Sequence, residues 1–415
     1  MPISAYTRRK LAATLVAATC LGGGVVAIGA SGGNPATASA APVALDAAKA
    51  APTISRCSRL ANRKARAAAA RTKGPNSGQV ARRARSKAKA SCLAHAKRSK
   101  KKRSRAVPST QVPGGLIVGV DGGYGGWSAA EVEERADLAA PVTRHEWDPA
   151  EPVDAQDEVM EVAVGEIHTR VHALLGGNEL GDPNHYREWV VAFIRRYGLG
   201  GSFWKAHPEY DESRYAITTV ELGNEPYFGE MSVDEYAAVV GPTLEEIKRQ
   251  NLPVTVVLPS RVYGSNTSWM DGLYTLIPNL NDLFDAFAEH PYWYGHEPAS
   301  SGPAGPFGRI ETTRRRMNEK GANTKAIWIT EYGESTAECG EECVGEDTQA
   351  LHLQQMLDAI VSRPDWGVNM ISVFQLRDRG TESSDRERQF GLIREDGSEK
   401  PAYPIVESAM AAYRG

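Results

Sequence analysis

From residue 116 to residue 413 the chain alternates short apolar runs with longer stretches of helical periodicity. The run at 116–120 ends in Asp121-Gly-Gly and gives way to a helix over 128–139. A second strand is expected at 142–147 with its helix over 155–166. The alternation continues with a strand at 169–175 and a helix at 185–197, a strand at 217–222 and a helix at 233–250, then a strand at 254–258. A sixth, short strand lies near the end of the segment 283–292 and a helix follows over 308–320. Runs at 326–330 and 370–376, with helices over 348–362 and 402–413, complete eight strand–helix pairs. Parallel strands covered on both faces read as uninterrupted apolar runs, as most of these do, so the pattern predicts an α/β chain with a (β/α)8 TIM barrel over 114–415. A doubly wound open sheet shares the alternation, but no Gly-x-Gly-x-x-Gly opens a first helix. Gly122-Gly-Tyr-Gly-Gly126 lacks that spacing and any following Lys-Ser/Thr for phosphates. Its glycines read as a turn in which backbone comes close to a ligand or loop.

Ahead of the barrel the pattern changes twice. Arg8-Arg-Lys10, the apolar stretch 11–30 and Ala38-Ser-Ala40 have the layout of an export signal over 1–40. The apolar stretch is also about long enough for an uncleaved anchor, although Gly22-Gly-Gly24 and the small-residue site favour cleavage. Lipid attachment at Cys20 fits less well, because Ala17-Ala-Thr19 precedes it.

The net charge of −3 conceals an arm and a body of opposite sign. Residues 55–105 hold 19 Lys and Arg and no Asp or Glu, whereas from 106 onward 25 basic residues face 50 acidic ones. Within the domain 41–113, the segments 56–72 and 79–97 are rich in Ala, Lys and Arg, and Gly74-Pro-Asn-Ser-Gly78 between them can reverse the chain. A basic helical hairpin is expected, followed by a charged linker to 113. Antiparallel helices would bring Cys57 and Cys92 together, and export would let a disulfide persist. Such charge density suits phosphate contacts, but the arm lacks the interleaved aromatics of a base-stacking surface, which argues against nucleic acid. Anionic wall polymers or a membrane surface are the partners that fit an exported chain, with a solvated spacer as the alternative.

Two glutamates carry the candidate chemistry. Glu225, in Val220-Glu-Leu-Gly-Asn-Glu-Pro226, and Glu331, in Ala326-Ile-Trp-Ile-Thr-Glu-Tyr-Gly333, each close an apolar run and open a turn. Both carboxylates should project from strand C-termini, the end at which barrel enzymes carry their chemistry. Two carboxylates facing each other across a sugar ring are the minimum equipment for cleaving a glycosidic bond.

Gly223-Asn-Glu-Pro226, His290-Pro-Tyr292 and Trp328-Ile-Thr-Glu-Tyr-Gly333 resemble the retaining glycoside hydrolases of clan A, particularly the cellulase-like family 5 and the xylosidase-like family 39, over roughly 114–413. The segment 390–403 also looks like their closing hairpin and last helix. The resemblance implies that Glu225 is the general acid and base and Glu331 the nucleophile, about 5–5.5 Å apart. Carried over likewise, Asn224 should bond the sugar 2-hydroxyl, Tyr292 should donate to Glu331, and His290 should face the sugar or the acid, or else sit as a satisfied core histidine. Arg144 could keep Glu331 ionised or form a barrel-end salt bridge. His168 and His172 receive no role. The eighth strand departs from the family pattern, which ends there in Trp, by presenting Phe374 and Gln375. The sugar platform is therefore expected from Phe374 or from a loop aromatic such as Trp147, Trp127, Trp204 or Trp293.

Cys339-Gly-Glu-Glu-Cys343 has no neighbouring ligands and makes a poor zinc site, so it reads as a small disulfide stiffening the loop after the Glu331 strand. Neither a metal nor an organic cofactor is called for. The expectation is a secreted glycosidase acting on a carbohydrate by double displacement. The alternatives are a carbohydrate-binding protein that has lost catalysis on the same barrel, or a cell-wall binder acting through its basic hairpin.

Overall fold

The computed structural model describes residues 115–413, apart from 230, 300, 301, 381 and 383, together with Lys87. The expected export signal, the basic hairpin other than Lys87, and the Cys57–Cys92 pairing lie outside the described residues.

Eight parallel strands close in sequence order: β1 (Ile117–Tyr124), β2 (Val142–Trp147), β3 (Arg170–Leu175), β4 (Thr219–Leu222), β5 (Thr255–Pro259), β6 (Ala286–Glu289), β7 (Ala326–Tyr332) and β8 (Val368–Val373), with β8 paired back to β1. Side chains alternate along a strand, and this divides the buried residues into two groups. Val118, Val120, Val171, Val220, Leu258 and Ile329 belong to the large core beneath the helices. Val142, Val257, Ala286, Ala288, Trp328 and Met370 form a second, smaller cluster filling the lower interior of the barrel. Each buried Val, Leu or Ile in these groups contributes about 1.5–3 kcal/mol.

The surrounding helices start where local chemistry lets them. In α1 (Ala129–Leu138) the Ser128 hydroxyl accepts from the Glu131 N–H while the Glu131 carboxylate accepts from the Ser128 N–H. A short α2 (Asp157–Glu161) precedes α3 (Pro183–Tyr197), which opens with Pro at its first position and Asp182 accepting from the Asn184 and His185 N–H groups. Two further short helices, α4 (Ser202–Ala206) and α5 (Glu212–Tyr215), lead into β4. The Ser232 and Glu235 pair caps α6 (Val233–Arg249) as Ser128 and Glu131 cap α1. The ring is completed by α7 (Ser268–Leu276), α8 (Pro306–Glu319), α9 (Glu346–Ser362) and α10 (Ala402–Ala412).

Three departures from the sequence pattern stand out. The helix expected over 155–166 is broken into a tight turn at Val153–Gln156, α2, and a wide turn at Val162–Ile167, where three β-branched residues and Gly165 weaken a regular helix. The pattern did not reveal α7, whose nine residues include Gly272. Asp121-Gly-Gly, expected as a turn, continues β1: a Cβ on Gly122 would stand 2.7 Å from the Arg144 carbonyl oxygen, so glycine allows a close approach to β2 rather than to a ligand. Near the C-terminus, an antiparallel bridge between Ile393 and Glu399 forms the expected hairpin before α10.

Candidate active site

The C-terminal mouth of the barrel collects the ionisable side chains. After β4, Gly223 (φ +85°) and Glu225 (φ +43°) both adopt left-handed backbone, at a cost of about 1–2 kcal/mol for a residue with a Cβ. Local bonds hold this bend. Asn224 N–H donates to the Gly177 carbonyl at 3.0 Å, Asn178 Nδ2 donates to the Glu225 carbonyl at 3.0 Å, and Phe228 N–H donates to the same oxygen at 2.8 Å. Glu331 lies in β7, whose pairing with β8 slips between Ile329 and Tyr332. The slip lets the consecutive residues Thr330 and Glu331 both reach the interior cluster, which strict alternation would forbid.

Arg144 is the centre of this cluster. Its Nε and Nη2 donate to Glu221 Oε2 and Oε1 at 2.7 and 3.1 Å, and Nη2 also donates to Asn224 Oδ1 at 3.0 Å. Its Nη1 donates to Glu331 Oε1 at 2.8 Å and to Asp121 Oδ2 at 3.0 Å. All five N–H donors of the guanidinium are thereby used. Glu221 is equally saturated, since His172 Nε2 at 2.9 Å and the Thr330 hydroxyl at 3.1 Å complete four bonds to its two oxygens. Strand register explains the convergence, with Asp121 opposite Arg144 and Arg144 opposite His172.

Burial alone would raise the Glu221 pKa, but Arg144 and His172 outweigh it and hold the carboxyl well below its usual range. Asp121 goes the other way: burial raises its pKa, and the nearby Glu331 charge adds to that against the pull of Arg144. Burial lowers the pKa of His172 despite the Glu221 hydrogen bond, so its Nε2–H donates to Glu221 as a neutral imidazole. Burial likewise opposes charge on His290, but Glu331 and Glu225 prevail and its pKa is raised.

The Thr330 hydroxyl has one proton, and Glu221, ionised, can only accept it. His290 Nε2, 2.9 Å from Thr330 Oγ1, must therefore be a donor. His290 Nδ1 stands 3.0 Å from Glu225 Oε1, so one proton is shared between imidazole and carboxyl at that contact. The same Nδ1 is 3.7 Å from Glu331 Oε2. The Tyr292 hydroxyl donates to that Glu331 oxygen at 3.0 Å.

The structure thus brings Glu225, Glu331, Asn224, His290, Tyr292 and Arg144 into one hydrogen-bonded cluster. Phe374 borders it, with its ring 6.3 Å from Tyr292 and 5.3 Å from Phe390. Trp147 is a correction. It is 0 % exposed and packs on Phe193 and Tyr197 of α3, because Val142 and Arg144 face inward and the alternation turns position 147 toward the helices. Trp204 is also buried, packed edge-on to Phe203. The sequence pattern gives no role to Asp121, Glu221, Thr330 or His172, although an ionisable residue inside an apolar parallel strand signals a buried partner. Cys339 and Cys343 are disulfide-bonded, with 5.4 Å between their Cα atoms. Among the described residues no group of three or more His, Cys, Asp or Glu side chains is disposed to hold a metal ion.

No family model matches the chain. No curated protein matches it either. Solved structures of similar fold include a family 39 glycoside hydrolase from the gut symbiont Bacteroides cellulosilyticus WH2, at 15 % identity over 72 % of this chain with a TM-score of 0.53. A glucosidase from Croceicoccus marinus aligns at 16 % identity over 72 % of this chain with a TM-score of 0.50. The chain spans 64 % of the first structure and 69 % of the second. At such identities the likeness is one of fold: the structural neighbours are glycoside hydrolases built on the same barrel.

Proposed function

We propose that this chain is an exported retaining glycosidase in which Glu331 is the nucleophile and Glu225 the general acid and base. The observation that supports this most is the position of His290 Nδ1, 3.0 Å from one carboxylate and 3.7 Å from the other. The two glutamate oxygens are no farther apart than those distances laid end to end. Double displacement uses carboxyls about 5–5.5 Å apart, well within that bound, whereas direct displacement by water needs about 6.5–9.5 Å, a range the bound meets only at its lower edge.

The surroundings suit the two roles. Arg144 and Tyr292 aim Glu331 and disperse its charge until it bonds to the anomeric carbon. Glu225 gives its proton to the departing oxygen, and His290 is placed to replace it. With Glu331 esterified, its charge no longer opposes a carboxylate at Glu225, which then takes the proton of attacking water. Asn224 commits its oxygen to Arg144 and keeps its amide N–H groups for a ligand, as contact with a sugar 2-hydroxyl requires. In this reading residues 1–40 direct export, and the basic arm within 41–113 holds the enzyme on anionic wall polymer or a membrane surface.

The test is turnover of an aryl glycoside panel, with the anomeric configuration of the first-formed product read by NMR. Retention is expected. Inversion overturns the double displacement, and tight sugar binding without turnover identifies the chain as a binding protein on the same barrel.

A further inference from the structure

Beyond Glu225 the segments that follow β4 and β5 carry large aromatic side chains at the surface. Past Glu225 and Pro226 come Tyr227, half-buried, and Phe228, which is 68 % exposed. The next strand, β5, ends at Pro259 and is followed by Arg261 and by Tyr263, 63 % exposed. The Arg261 guanidinium lies over the Tyr227 ring at 4.9 Å and the Trp269 ring at 5.9 Å. Tyr227 in turn contacts Phe228 at 4.9 Å, and Tyr263 faces Trp293 at 6.4 Å.

Three properties of this patch call for a ligand. Large rings this exposed lose the benefit of burial, and apolar patches at a cleft mark binding surfaces. Arg261 is exposed and holds a left-handed backbone (φ +43°) without capping a helix, and such strained states cluster at functional sites. The chain from 106 onward offers 50 acidic residues to 25 basic ones, yet among the described residues none pairs with Arg261. Stacked on aromatic faces, its N–H fork is oriented and exposed, an arrangement suited to receiving a carboxylate with two parallel bonds.

The side of the mouth is informative as well. Resting on the glycosidase reading, in which Glu225 protonates the departing oxygen, the residues that follow Glu225 and end β5 lie where the leaving group lies. We propose that Arg261, with Phe228 and Tyr263, forms a leaving-group subsite for a carboxylate-bearing sugar, making uronate-containing glycans the substrate class. The rings take the apolar face of the sugar and the guanidinium takes its carboxylate.

The full chain is offered oligosaccharides of glucuronoxylan, polygalacturonate and hyaluronan, each beside its carboxyl-reduced counterpart, which keeps backbone and linkage but loses the charge. For at least one pair, kcat/KM is expected to be about 10- to 100-fold higher for the acidic form, the range of a charge-assisted hydrogen-bond pair. Arg261→Gln collapses that ratio toward one and Arg261→Lys restores part of it. A preference for the reduced forms, or a preference that survives Arg261→Gln, overturns the proposal. Turnover of aryl glycosides with no acidic preference leaves the glycosidase reading standing and removes only the subsite. If nothing is turned over the glycosidase reading falls, and calorimetric titration of the acidic oligosaccharides decides the subsite: binding weakened by Arg261→Gln supports it, and equal or absent binding overturns it.

Discussion

Glu331 sits inside a paired strand, buried, with a guanidinium nitrogen at 2.8 Å and a phenol oxygen at 3.0 Å. Glu225 lies past the end of its strand, half-buried, on left-handed backbone, facing an imidazole nitrogen at 3.0 Å. One carboxyl accepts hydrogen bonds from a guanidinium and a phenol, groups that do not give up a proton near neutral pH. The other meets a group that exchanges protons near neutral pH. The contrast teaches how a barrel can give two identical side chains different surroundings: the strand interior sets one against a guanidinium and a phenol, and the loop beyond the strand sets the other against an imidazole.

Removing the fixed carboxylate should cost most. On the glycosidase reading Glu331→Gln leaves nothing to bond the anomeric carbon, and kcat is expected to fall by at least about 10⁴-fold while sugar binding persists. Steady-state kinetics beside a binding titration would separate the two. At the other carboxylate, Glu225→Gly should lower kcat by about 10²–10⁴-fold, least for aryl leaving groups that need no protonation. Yet its stability to denaturant should hold or rise by up to about 1 kcal/mol, since glycine accepts the left-handed backbone without strain. A variant that loses both activity and stability would break the contrast drawn here.

Arg144→Met tests what fixes the anion. It strands Asp121, Glu221 and Glu331 without their shared cation, at about 3–5 kcal/mol of stability near neutral pH. The pH dependence should change as well. In the wild type the depressed pKa of Glu221 gives stability that is present above the ordinary carboxylate pKa of about 4 and is lost as pH falls toward the folded value. In the variant, protonation relieves the stranded charges, so acidification should recover stability instead.

The smallest effect belongs to His290→Gln. The folded pKa of His290 is raised by the two glutamates, so its contribution to stability is complete below about 6.5 and disappears as pH rises through the folded value. Denaturation curves of wild type and variant should therefore differ most in mild acid and converge in alkali. A constant difference would mean that the imidazole acts by packing alone.

Much of this was legible before any coordinates. Strand positions came from apolar runs, because burial on both faces of a parallel sheet leaves a strong signal, and Glu225 and Glu331 stood out where those runs end. The wiring was harder to read. His172 and Glu221 sit inside β3 and β4 as single polar letters, and the chain pattern does not say which inward residues of different strands share a level. That is decided by the stagger of the barrel, which set Arg144 opposite His172. Trp147 misled for the related reason that composition marks an aromatic residue, whereas the face of β2 on which it falls decides whether it meets solvent or α3. The break after α2 and the existence of α7 were hidden because short helices carry too few turns to establish a period.

The lower interior cluster of Val142, Val257, Ala286, Ala288, Trp328 and Met370 has a consequence for traffic. It fills the barrel beneath the ionisable floor, so among the described residues that floor faces outward at the C-terminal mouth. On the glycosidase reading, whatever docks at that mouth also stands in the way of water, which must slip in beside the departing fragment or wait until that fragment has left.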